Sequence, residues 1–286
     1  GTVKFEDGVP FMVQMIDPLA PTDANLEATS LFPFVSLGGA YAINDMISLS
    51  LAGRYVYGMK TYKGKLSFTH PMAGPLTYEA DAENTAHGFG GIIGIAVKPT
   101  PELMIDIRYE TVTMLDFETT VNDNKSFNGY FTDGEKTRKD LPATLALGAS
   151  YRISDLLLSA SADIFFIGQA DQGKDSETSN GYDDDYDDIG YEISGSAEYT
   201  IIPEFLLVSA GYMYNKVGGN EKTYNDFDFS LDSHSVGVGG RVMPMQDLAL
   251  VLGIGRIMYV DGDNANGSVT FKKEAWILAL GAEYKF

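Results

Sequence analysis

Cysteine is absent from the 286 residues, and there is only one tryptophan, Trp276. Without cysteine there is no disulfide, no thiolate nucleophile and no thiolate metal site. Histidine is scarce: only His70, His87 and His234 are present. Basic residues are few, 20 Lys and Arg against 40 Asp and Glu, and the net charge of −20 argues against nucleic acid as a partner. No stretch approaches the ~20 unbroken apolar residues of a membrane helix. That last absence does not touch a membrane β-barrel, whose strands alternate lipid-facing apolar with lumen-facing polar residues and average near zero hydropathy.

What the sequence has in quantity fits such a barrel: 17 Tyr, 16 Phe and 31 Gly. Aromatics form girdles at the two membrane interfaces, and glycine lets tilted strands pack closely. The acids are clustered rather than spread. Asp183, Asp184, Asp185, Asp187 and Asp188 follow closely on Asp175 and Glu177. Other polar stretches are 81–84, 122–136, 218–228 and 261–266, with alternating apolar segments between them.

Very short turns alternate with these long polar loops. The turns are Asn44-Asp45, Pro99 to Glu102, Ser154-Asp155, Ile202 to Glu204 and Pro244 to Asp247, each between two alternating stretches. The pattern predicts an all-β, antiparallel transmembrane barrel of the outer membrane with about eleven strands, at 30–43, 46–62, 86–98, 103–119, 138–153, 156–169, 187–201, 205–217, 227–243, 248–260 and 270–286. Strands of a dozen or more residues exceed the roughly five or six usual in soluble sandwiches. Outer-membrane barrels have short periplasmic turns and long outer loops, so the acidic loops are expected outside and the C-terminus in the periplasm.

Alternation also assigns faces. Leu103, Ile105, Ile107 and Tyr109 oppose Asp106, Arg108 and Glu110; Ile47, Leu49, Leu51, Tyr55 and Tyr57 oppose Ser48, Ser50 and Arg54; Leu158, Ala160 and Ile164 oppose Ser159, Ser161 and Asp163. Charge in hydrocarbon is costly, so Arg54, Asp106, Arg108, Glu110 and Asp163 are expected to face the lumen. In the last strand Trp276, Leu278, Leu280, Ala282, Tyr284 and Phe286 share one face. An alternating strand ending in Phe resembles the signal read by the barrel assembly machinery. Trp276 and Phe286 are spaced to reach the two edges of an apolar band ~25 Å tall. Bacterial barrels have an even strand number, so eleven strands with a periplasmic C-terminus imply an odd number of further strands upstream.

Several stretches resemble FadL-type outer-membrane transporters of long-chain fatty acids and hydrocarbons. These are Gly88 to Pro101 running on to Ile107-Arg108-Tyr109, Asp140-Leu141-Pro142-Ala143 with Leu147 to Tyr151, and Ala40 to Asp45 followed by Ser48-Leu49-Ser50 and Tyr55 to Gly58. The resemblance covers roughly residues 28–286. It implies a fourteen-stranded barrel plugged by an N-terminal hatch, with three strands and the hatch outside this sequence. It also implies uptake of hydrophobic small molecules, such as long-chain fatty acids, by diffusion through an opening in the wall. Residues 1–27 are expected as an extracellular loop segment and 28–286 as barrel.

An apolar ligand needs an apolar path through a polar lumen. Leu250, Leu252, Ile254 and Arg256 share one face, and if Arg256 points inward the aliphatics do too. Phe165 shares the face of Asp163. Arg256 beside aliphatics suits a carboxylate whose acyl chain packs on the wall; the alternative is lumen filling with arginines paired to acids. Phe11 and Met12 lie in an amphipathic, Met-rich stretch that reads as a capture groove for hydrophobic molecules or as a loop packed over the mouth. The Asp183–Asp188 run lacks the spacing of a calcium loop and reads as a solvated acidic loop, so no metal is expected. His234 lies between Ser233 and Ser235, but strand neighbours point to opposite faces, so no Ser-His dyad forms, and neither enzyme activity nor a cofactor is expected. Outer-membrane lipid is the remaining expected partner. The alternative function is a general porin or a structural or adhesive barrel.

Overall fold

Residues alternating in polarity need a sheet with one wet and one dry side, and the chain forms one. The computed structural model describes residues 2–5, 21–70, 72–123, 131–173, 185–224 and 229–285. The strands are β1 (Thr2–Phe5), β2 (Pro21–Leu31), β3 (Phe34–Ala42), β4 (Ile47–His70), β5 (Gly74–Val97), β6 (Leu103–Glu110), β7 (Asp116–Asp123), β8 (Lys136–Arg138) and β9 (Ala143–Ile153), then β10 (Leu156–Phe166), β11 (Gly190–Ile202), β12 (Leu206–Lys216), β13 (Ser233–Met245), β14 (Leu248–Tyr259), β15 (Gly262–Asp263), β16 (Thr270–Phe271) and β17 (Glu274–Tyr284). The main sheet is antiparallel and runs β4-β5-β6-β9-β10-β11-β12-β13-β14-β17, with β3 on the lower and β2 on the upper part of the same edge of β4. Among the described residues β3 pairs only with β4 and β17 only with β14, so the two edges do not meet. No described helix is long and apolar enough to cross a membrane.

Tight connections gather at one end, here the turn end. The Asn44 side chain accepts bonds of 2.8 Å from the Met46 and Ile47 backbone N–H groups, closing the first turn. Ser154 and Glu204 take left-handed backbone angles, φ 53° and 59°, at the tips of two others.

Register divides the wall into two faces. Arg54, Asp106, Arg108, Glu110, Asp163, Glu192, Glu198, Arg241 and Glu283 lie on one; Leu49, Ile95, Ile107, Leu158, Ile193, Val238, Leu252 and Leu280 lie on the other. The first is the inner face, because the chain folds back against it; the second is the outer face, where Phe89 and Leu280 are 76% and 77% exposed. Tyr41, Tyr151, Tyr199 and Tyr284 mark the outer face towards the turn end, and Tyr55, Tyr57, Phe89, Tyr212 and Trp276 towards the loop end.

Two expectations fail in instructive ways, and the segment 1–27 proves to contain strands. The stretch 81–84 is part of β5 rather than a loop, because β4 and β5 pair without interruption from Ile47↔Val97 to His70↔Gly74. Buried Leu66, Phe68, Ala82 and Ala86 hold this long hairpin against its neighbours, so apolar packing outweighs the local polarity. Within 1–27, residues 2–5 and 21–27 belong to β1 and β2, which pair along the same hairpin extension. Finally, 103–119 is not one strand. The pairing of β5 shifts by one residue between Ile92↔Glu110 and Thr85↔Glu118, and residues 111–115 turn inward over β5. They pass so close that a Cβ on Gly88 would lie 2.6 Å from the Met114 carbonyl oxygen, which is why glycine stands there. Val56, Ala86, Leu115 and Phe117 form a buried cluster at this fold-back, with Phe32 and Leu141 packed on it.

Candidate functional site

The inner wall has two chemically distinct sectors. Across β4, β6, β9 and β10 it is charged. The Arg54 guanidinium donates to Glu110 at 2.5 Å and to Thr113 Oγ1 at 3.3 Å, and Arg108 Nε lies 3.2 Å from the other Glu110 oxygen. Beside this network a polar cavity of about 350 Å³ is lined by Asp106, Arg108, Gly148, Ser150, Ser161 and Asp163. Arg54, Asp106, Arg108, Glu110 and Asp163 therefore share the inner face. Phe165 follows Asp163 on that face, opposite Gly190 of β11.

Across β12, β13, β14 and β17 the same face carries no charge over most of its height. Its inward positions run Ser209, Gly211 and Met213; Ser235, Gly237 and Gly239; Val251, Gly253, Gly255 and Ile257; and Ile277, Ala279 and Gly281. A cavity of about 680 Å³ lies over this strip and reaches Leu157 and Glu198 on the neighbouring strands. Charge returns only at the turn end, where Arg241 donates to Glu283 at 2.6 Å. Glycine and serine make the strip a shallow trough, and Val251, Ile257, Ile277 and Met213 supply its apolar contacts.

The side chains of Leu250, Leu252, Ile254 and Arg256 lie on the opposite face of β14 from Val251 and Ile257, although Leu252, Ile254 and Arg256 also border the cavity. Register pairs Arg256 with Trp276 and Leu252 with Leu280, on the outer face, where the three aliphatics are 46–55% exposed. The inward side chains of β14 are Val251, Gly253, Gly255 and Ile257, none of them charged. The rule that charge points inward thus had no inward charge on this strand to find, and it selected the outward arginine. Arg256 is tolerated outside because its guanidinium lies 5.5 Å from the Trp276 ring centroid and 3.1 Å from Glu274, at the strand end. The pairing Arg241↔Val251 across the Pro244–Asp247 turn is the signal that assigns the face correctly.

The loops add polar contacts outside the wall. Asp187 binds Lys216 at 2.6 Å and accepts from Asn220, and this pairing holds its carboxyl below the usual carboxylate range. Asp185 lies 3.9 Å from Lys222, so the acidic run is partly matched by neighbouring lysines. Among the described residues no group of three or more His, Cys, Asp or Glu is arranged to hold a metal. Phe11, Met12, Asp183, Asp184 and Phe286 lie outside the described residues. His87 and His234 face outward and bond Tyr55 and Tyr212, away from any serine on the inner face.

No family model matches the sequence, and no curated protein is close enough to count as a match. Solved structures do match. A Pseudomonas aeruginosa FadL homologue superposes with a TM-score of 0.57 at 17% identity, over 92% of this chain and 69% of that one. The P. putida toluene transporter TodX gives 0.62 at 12% identity, over 100% and 77%. The CymD monoaromatic hydrocarbon channel gives 0.55 at 13% identity, over 93% and 76%. The fold is FadL-type. Within this FadL-type wall the two-sector lining is made by the chain's own side chains, and at such low identity the likeness carries architecture rather than residues. The uncharged trough of the FadL-type barrel was missed in the sequence because glycine and serine register in alternation as neither apolar nor charged.

Proposed function

We propose that the chain forms the wall of a bacterial outer-membrane channel for uptake of hydrophobic small molecules. The observation that carries this reading is the strip on β12, β13, β14 and β17, whose inward positions from Ser209 to Met213 and Val251 to Ile257 carry no charge, under a cavity of about 680 Å³ with Glu198 and Arg241 at its margins. An apolar solute crossing a charged lumen would have to desolvate the ion pairs along its way; this sector offers a route that avoids them. The matched toluene and monoaromatic hydrocarbon channels support the same class of solute. In this reading the short turns are periplasmic, the acidic loops extracellular, residues 1–27 an outer segment, and the C-terminal strand the part read by the assembly machinery.

Hydrocarbons and long-chain fatty acids are the finer candidates. An acyl chain gains roughly 0.8 kcal/mol for each methylene buried, so either kind draws its affinity from the apolar wall. A carboxylate would meet Arg241 at the turn end, where Glu283 already occupies the guanidinium. The trough therefore favours uncharged solutes over acids. Uptake of labelled toluene and of oleate by cells carrying the full-length protein tests this. A Gly253→Leu variant fills the trough without forcing the backbone, because a Cβ there meets nothing nearer than 3.7 Å. The expected outcome is loss of toluene uptake by about tenfold or more, in the range that extra methylenes cost in a fitted pocket. Unchanged uptake in Gly253→Leu would remove the trough from the pathway.

A further inference from the structure

On the outer face, between the two aromatic levels, the described strand positions carry no Asp, Glu, Lys, Arg or His. Such residues reappear together at the loop end. His87 lies beside Tyr55, Tyr57 and Phe89, and its Nδ1 is 2.6 Å from the Tyr55 hydroxyl. His234 repeats the arrangement on the other side of the wall: its Nδ1 is 2.7 Å from the Tyr212 hydroxyl, and its ring centroid is 4.9 Å from that of Tyr214.

The two clusters stand at one level. Register carries Tyr212 through Gly195, Ala160, Ala149, Ile105 and Val97 to Ile47, and Tyr55 is 55 − 47 = 8 residues further towards the loop end. Six inter-strand steps of about 4.8 Å, in strands tilted by about 40–45° and rising about 3.3 Å per residue, need an offset of about eight residues to stay level.

The cluster around His234 has a further cation. Val236 pairs with Arg256 and His234 with Met258, so His234 and Arg256 are diagonal neighbours on adjacent strands, a separation of roughly 7–8 Å between backbones. The Arg256 guanidinium lies over Trp276 and bonds Glu274, but its Nε is enclosed and has no hydrogen-bond partner. The other charged or titratable groups at this corner are Tyr212 and Tyr214 on β12, Asp232 beside Tyr214, and Glu274 on β17. The patch thus combines two donors of the kind that take an anion, an aromatic floor for acyl chain and glycerol, and two carboxylates, of which Glu274 competes directly for Arg256.

We infer that the outer surface formed by Tyr212, His234, Arg256 and Trp276 binds the phosphate of a lipid headgroup at the loop-end interface. This rests on the reading of the chain as a membrane barrel. Arg256 supplies the charge-assisted bond to the phosphate, His234 a second donor through Nε2, and Trp276 the interfacial platform. Glu274 holds the arginine in place until a headgroup displaces it.

Trp276 is the chain's single tryptophan and so reports on this corner directly. The full chain is reconstituted in phosphatidylcholine vesicles containing a minor fraction of phosphatidylglycerol, with brominated acyl chains on one lipid or the other. Quenching of Trp276 by brominated phosphatidylglycerol should exceed its share of the bilayer by about threefold, as one partly exposed charge pair provides. Glu274→Gln should raise that ratio, Arg256→Gln should bring it to the bulk share, and His234→Phe should lower it. Quenching at the bulk share in both native and Glu274→Gln protein overturns the site. Absence of quenching by either lipid means the corner does not face a bilayer, and overturns the barrel reading and the site with it.

Discussion

The Asp140 carboxylate, with its side chain only 1% exposed, holds the inward fold-back in place. It accepts from the Leu115 N–H at 3.0 Å, the Asp171 N–H at 3.2 Å, and Arg138 at 3.1 and 2.9 Å. Thr113 and Leu141 add a backbone bridge, and Arg54 reaches Thr113 from below. The fold-back thus depends on one enclosed anion. Asp140→Ala would leave the enclosed Leu115 N–H and the Asp171 N–H without their acceptor, a loss of about 1–3 kcal/mol, while the partly exposed Arg138 keeps Asp116 and Asp171 nearby. Thermal unfolding in detergent measures this; a loss below about 1 kcal/mol would mean that water replaces the carboxylate at no cost. Asp140-Leu141-Pro142-Ala143 stands out in the sequence by resemblance, but nothing local shows what the aspartate does. Arg138 is only two residues away, but the backbone N–H groups that Asp140 binds lie 25 and 31 residues away, and only the completed fold brings them to it.

At the level of the strand, alternation is enough to fix which residues share a face, but an isolated strand does not say which face is inside. Strands with inward acids or arginines, such as β6 and β10, declare it. β14 does not, because its inner side is Val, Gly and Ile and its single charge stands at an interface. The same limit hid the long β4–β5 hairpin, whose upper half is polar on paper yet packed in the fold. The face assignment of β14 can be tested at two adjacent positions. Leu252 lies midway between the levels of Tyr284 and Trp276 on the outer face, and Val251 faces the trough. Leu252→Arg should destabilise the inserted barrel by about 2–4 kcal/mol, as lipid-facing arginine does near a bilayer midplane, whereas Val251→Arg should cost under about 1 kcal/mol. Urea titration of both variants in lipid vesicles reads the difference. Equal losses, or the reverse order, would return Leu250, Leu252, Ile254 and Arg256 to the inner face.

At the scale of the whole molecule the question is what the lumen transmits. A general porin needs a water-filled passage with charge along it, and the Arg54–Glu110–Arg108 sector has the charge. Beside it residues 111–115 turn in over β5, where Leu115 packs with Phe117, Val56 and Phe32 and narrows the space over the charged wall. The opposite sector has the larger cavity, with charge only at its margins, at Glu198 and at Arg241 and Glu283. An ion following the open side would shed its hydration against glycine and aliphatic carbon, which is costly, while a hydrocarbon on that side loses nothing. On the proposed reading the two sectors separate the two kinds of traffic. The full-length protein in planar bilayers is expected to conduct far less than a porin of like strand number, while still passing toluene in vesicle uptake. Asp140→Ala, by loosening the fold-back, should raise conductance and leave toluene flux as it was; Gly253→Leu should lower toluene flux and leave conductance as it was. A large, steady ohmic conductance in the native protein, with no hydrocarbon flux, would make the charged sector the pathway and the chain a porin.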